Sequence, residues 1–136
     1  RSTLKTVKND ASVTAFLNKV PDEQKRADCF TLVEIMQAVT RKPAVMWGTA
    51  IVGFDKYDYK LASGKMGEMC LVGFSPRAQN ITLYVGASGI DPEILAKLGK
   101  YKVSGSCLHI VRLSDVHLPS LKALIRDFVK KKRAAQ

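Results

Sequence analysis

The chain has 136 residues, 46% hydrophobic and 25% charged, a composition that fits one folded domain and excludes wholesale disorder or collagen-like repetition. No apolar run approaches the roughly 20 residues that a membrane-spanning helix needs. Twenty-two Lys and Arg against twelve Asp and Glu leave a net charge of +10, and residues 91–136 hold ten of the basic groups but four of the acidic ones.

Two helices are expected to open the fold. Asp10 or Ser12 serves as N-cap for the first, and Val13, Phe16, Leu17 and Val20 recur at three- and four-residue steps. Pro21 ends it and starts the next helix, with Asp22 and Glu23 in a first turn where acidic groups suit the dipole. Ala27, Phe30, Val33, Met36 and Ala38–Val39 are expected to line its core face until Pro43 closes the helical part.

From Ala44 to Ala87 the period changes from 3.6 to 2. Val45–Trp47, Ala50–Phe54, Tyr57–Leu61, Met69–Phe74 and Asn80–Val85 read as strands. Gly48, Asp55–Lys56, Ser63–Gly64 and Ser75–Pro76 read as the turns between them. Neighbours this close pair as an antiparallel meander, because a parallel crossover needs a dozen or more residues. Asp91 and Pro92 then start a short helix that Gly99 ends, and Ser106–Leu113 reads as a last strand. Pro119 begins a final helix with Leu121, Leu124, Ile125, Phe128 and Val129 on one face. The expected fold is α+β, a two-layer sandwich with helices on one face of a mainly antiparallel sheet. One domain spans residues 1–136, and its basic tail, about 130–136, is read as a solvated helix end.

Cys29, Cys70 and Cys107 are odd in number and scattered, which fits a reducing compartment, and no apolar leader stands near residue 1. The cytoplasm is the expected location.

Two surfaces are singled out. Trp47, Tyr57, Tyr59, Ser63, Arg77 and Lys100 combine aromatic contact area with cationic groups suited to a carboxylate or phosphate. A small anionic ligand near Arg77 and Lys100 is the expected partner, against the alternative that these aromatics only pack the core. The second surface is the helix-free side of the sheet, where alternation places Thr82, Tyr84, Cys107 and His109, with Phe74 joining them in one register. Such a patch suits a homodimer contact.

Other chemistries are weaker. Cys107 and His109 share a strand face, but their backbones lie about 7 Å apart and no third group orients them, so no catalytic site is expected. Asp22, Glu23, Asp28 and Glu34 are the only clustered carboxylates for iron, and Lys25 and Arg26 interleave them. The basic C-terminal run Lys130–Arg133 attracts polyanions but lacks aromatics for base stacking, so no specific nucleic acid is expected. No cofactor or metal is expected either.

Several runs in the central block, taken in order, carry a resemblance. They are Lys25-Arg26-Ala27-Asp28-Cys29, Met46-Trp47-Gly48, Ile51-Val52-Gly53-Phe54 and Tyr57-Asp58-Tyr59. Ser63-Gly64, Val72-Gly73-Phe74-Ser75-Pro76-Arg77, Asn80-Ile81-Thr82-Leu83-Tyr84, Leu98-Gly99-Lys100 and Ser106-Cys107-Leu108 follow. Over roughly residues 10–130 the chain resembles the YdhG-like family of small bacterial proteins. The resemblance implies a small α+β fold distantly related to frataxin and, for one branch, iron or iron–sulfur accessory work. The chain departs from the family at Lys65-Met66-Gly67, Arg77-Ala78 and Gly105-Ser106, three places where the family carries other charges. The expected function is therefore a non-enzymatic binding domain, with the frataxin-like accessory protein as the alternative.

Overall fold

The computed structural model describes residues 8–9 and 12–134. Helix α1 (Val13–Asn18) is capped by Ser12, whose side chain accepts from the amide of Ala15; Asp10, the other expected cap, lies outside the described residues. Helix α2 (Glu23–Thr40) is capped by Asp22, which accepts from the amides of Gln24 and Lys25. Pro21 thus precedes the cap instead of starting the helix. Arg41 ends α2 in the left-handed region, so the helix is closed before Pro43 is reached.

The expected core face of α2 is rotated from the real one. Cys29, Leu32, Ile35, Met36 and Thr40 are buried, whereas Ala27 and Ala38 face solvent and Phe30, Val33 and Val39 lie half-buried at the margin. Helix α4 (Leu118–Ala134) follows expectation, with Leu121, Leu124, Ile125 and Val129 buried and Phe128 packed beside them.

The strands are β1 (Lys8–Asn9), β2 (Ala44–Trp47), β3 (Ile51–Lys60), β4 (Met66–Pro76), β5 (Ile81–Tyr84), β6 (Lys102–Ser104) and β7 (Cys107–Ile110). They form one antiparallel sheet in the order β1-β2-β3-β4-β5-β7-β6. Helices α2 and α4 pack against its central strands, α1 packs on β2 and α2, and the short helix α3 (Pro92–Leu98) packs on α4. The fold is α+β. Asp91 caps α3 through the amide of Glu93, and Gly99 ends it at φ +111°, both as the spacing suggested. No helix among the described residues is long and apolar enough to cross a membrane.

Asp55–Lys56 is not a turn. Asp55 takes a left-handed φ of +58° inside β3, and its carboxylate accepts from the next amide, that of Lys56. The pairing on either side keeps one register, Phe54 with Val72 and Lys56 with Cys70. The kink shifts which residues face the helices. Val52 and Phe54 do so before it, and Tyr57, which packs beside the core, does so after it. The missed strand β6 is a short edge of exposed residues joined to β7 through Gly105, itself at φ +58°.

The basic C-terminus also differs from expectation. α4 continues as helix to Ala134, and its end docks. Arg133 Nη2 donates to the carbonyl of Thr40 at 2.7 Å and to Asp55 Oδ2 at 3.0 Å. Lys132 Nζ sits 4.1 Å above the ring of Tyr57. Deleting residues 131–136 removes these contacts and should lower stability by on the order of 1–2 kcal/mol, several degrees in melting temperature. Thermal unfolding checks it, and an unchanged melting temperature would mean that the helix end contributes nothing.

Candidate functional site

The helix-free side of the sheet is organised by strand pairing. Tyr84 lies opposite Cys107, Thr82 opposite His109 and Lys102 opposite His109, so these side chains share one face. Phe74 does not join them. It pairs with Leu83 and Val52 and is fully enclosed in the core beneath the helices. The expected dimer surface thereby loses its largest apolar member, while Tyr84, Cys107 and His109 remain half-buried and Thr82 is covered completely.

Thr82 is the hub of a polar chain. Its hydroxyl donates to Asn80 Oδ1 at 3.0 Å and contacts His109 Nδ1 at 3.0 Å. Alongside, Arg77 Nη2 donates to the hydroxyl of Tyr84 at 2.8 Å. The turn that carries Arg77 is pinned from the helical side, where Lys25 Nζ donates to the carbonyls of Arg77 and Ala78 at 2.5 and 3.1 Å. The backbone amide of Arg77 closes the turn on the carbonyl of Asn80.

Beside this chain opens a cleft of about 260 Å³, lined by Gln79, Asn80, Lys100, Tyr101, Lys102, His109, Ile110 and Val111. Two ammonium groups, an imidazole and two side-chain amides border it, and none of its lining residues is acidic. Lys100 is fixed at its backbone, whose amide donates to the carbonyl of Asp115. Ammonium and amide donors around an acid-free hollow suit a small oxyanion.

The six residues first grouped as a ligand surface separate. Lys100 lines the cleft, and Arg77 stands on the adjoining turn with its guanidinium engaged by Tyr84. Tyr57 and Tyr59 lie along β3 with ring centroids 6.0 Å apart, and Ser63 is exposed at the tip of the β3–β4 hairpin. Trp47 is only 1% exposed, packed beside Gly53 and Cys70, and has no access to a solvent-borne ligand. Sequence reasoning missed Asn80, Tyr101 and Lys102. The signal for Lys102 was a run of strand-compatible residues before a Ser-Gly turn, read instead as loop.

The other chemistries meet structural employment. Asp22 is the cap of α2, and Asp28 is buried, accepting from the amide of Leu113 at 3.0 Å and from Gln24 Nε2 at 2.9 Å. Among the described residues no three His, Cys, Asp or Glu side chains converge on a point that could hold a metal ion. Burial pushes the thiols of Cys29 and Cys70 up to about 12, which keeps both neutral and unreactive. His117 Nδ1 and Ser120 Oγ stand 2.7 Å apart at the start of α4, three residues from one another, the geometry of a helix-start cap. Two hollows on the helical layer, of about 300 and 560 Å³, share Glu34 and Ala38, so each sets the Glu34 carboxylate beside its cations, Lys122 and Arg126 in one and Arg41 and Lys42 in the other.

No family model, no curated protein and no solved structure matches this chain.

Proposed function

We propose that this chain is a non-enzymatic binding domain that takes a small oxyanion, a phosphate or carboxylate group, in the cleft beside β6 and β7. The observation that carries the reading is the lining: Lys100, Lys102 and His109 with Asn80 and Gln79, and no carboxylate among them. Cations at the sheet edge attract an anion over a distance, and the amides then supply directional bonds. What supports a YdhG-like scaffold is the order of the runs named above on one α+β domain.

The test compares sulfate with chloride at equal ionic strength. Sulfate should raise the melting temperature of the wild type by mass action. Lys100→Ala with Lys102→Ala should remove that difference while leaving the melting temperature in chloride unchanged, because both side chains are exposed. Equal stabilisation of wild type and double variant would mean a general salt effect and would overturn the reading.

A further inference from the structure

We infer that anion binding in this cleft is coupled to protonation of His109, whose Nε2 is its pH-sensitive donor; the inference rests on the reading just given. Asn80 Oδ1 has lone pairs only, so the Thr82 hydroxyl gives its single proton to that bond. Thr82 is fully buried, so no solvent competes for the hydroxyl. What the hydroxyl oxygen then offers His109 is a lone pair, and Nδ1, 3.0 Å away, must carry a hydrogen to use it. The neutral ring is thereby fixed as the Nδ1–H tautomer, with a bare lone pair on Nε2.

Nε2 belongs to a side chain that lines the cleft. Unprotonated, its lone pair opposes an anion's oxygen. Protonated, the ring keeps its bond to Thr82 and presents a charged N–H, a donor about twice as strong as a neutral one. Histidine changes charge between about pH 5 and 8, and lysine does not. The charged and titratable groups around it are Lys102 on the paired strand, Lys100 and Tyr101 before it, Arg77 and Tyr84 across β5, and Cys107 on β7 itself. No carboxylate stands among them to pair with the imidazolium. A bound anion supplies that opposite charge, so anion and proton favour each other. Affinity is therefore higher with the ring protonated and falls as pH rises across the range in which a histidine side chain loses its proton.

Sulfate is the probe, because it stays a dianion throughout this range. Calorimetric titration at constant ionic strength should find binding about tenfold weaker at about pH 8.5 than at about pH 5.5. In His109→Gln the affinity should be the same at both values and close to that of the wild type at the higher one. A flat wild-type profile, or an unchanged slope in His109→Gln, would overturn the coupling and leave the cleft standing. Absence of sulfate binding at either pH would overturn the cleft and the coupling together. Ring nitrogen NMR at the higher pH gives a second readout on the folded wild type. It should find Nδ1 protonated and Nε2 bare, and the opposite tautomer would break the proton argument.

Discussion

Replacing Phe74 with Ala should cost about 3–5 kcal/mol of stability, the range for emptying a fully enclosed aromatic site. Phe74 is 0% exposed and belongs to the core formed by β3, β4, β5, α2 and α4. Its cross-strand neighbours Val52 and Leu83 are equally enclosed, so little can collapse into the space left behind. The variant separates two placements of the ring. In the core, truncation lowers the denaturation midpoint at every protein concentration. On an outward dimer face it would leave the isolated chain nearly as stable and change only its association. Chemical denaturation at two concentrations, with light scattering alongside, distinguishes them. A loss under about 1 kcal/mol would contradict the position of β4.

Gly53→Ala should be nearly as damaging, at about 3 kcal/mol, the upper end for overpacking. A Cβ at Gly53 would stand 2.4 Å from Cys70 Cβ and 2.5 Å from Trp47 Cδ1, closer than packed carbons approach. Both neighbours are held: Cys70 by its strand and Trp47 by near-complete burial. The indole cannot swing away without opening to solvent. Trp47 is the sole tryptophan, so fluorescence reads it directly. Its emission should shift to longer wavelength together with the loss of stability. Gly89→Ala is the control, since nothing lies within 4 Å of a Cβ there. Equal behaviour of the two variants would mean that Trp47 does not rest on Gly53.

What the sequence made legible follows from how each element earns its burial. α4 was readable because one stripe, Leu121 to Val129, faces the core with no large apolar residue on its other side. α2 carries apolar residues around more of its circumference, so the stripe through Ala27, Val33 and Ala38 competed with the true one through Cys29, Leu32 and Met36. Only packing against β3 and β4 chooses between them. The kink at Asp55 defeats alternation for a different reason. Aspartate is common in turns because it tolerates left-handed backbone, and here that tolerance bends a continuous strand. Trp47, Tyr57 and Tyr59 were singled out as exposed contacts on residue type alone, and packing decides otherwise for Trp47.

The site was half legible. Arg77 and Lys100 could be placed near loops from the Ser-Pro and Leu-Gly pairs, and Thr82 and His109 could be placed on one sheet face. Their convergence could not. It depends on β7 pairing with β5 and on β6 folding back over the edge, which brings Lys102 opposite His109. The terminal basic run misled in the other direction. Lys132 and Arg133 are employed by Tyr57, Thr40 and Asp55, away from the cleft's lining. A count of charge along the chain sees the run of lysines first, while the acid-free cleft draws its cations from α3's end and an edge strand.

The measurement that tests the anion cleft most directly is a sulfate titration followed by amide chemical shifts across the whole chain, at constant ionic strength. The account predicts saturable shifts centred on Asn80, Lys100, Lys102, His109 and Val111, with the amides of residues 130–134 unmoved. Shifts that grow linearly without saturating, or that centre on the basic end of α4, would contradict it.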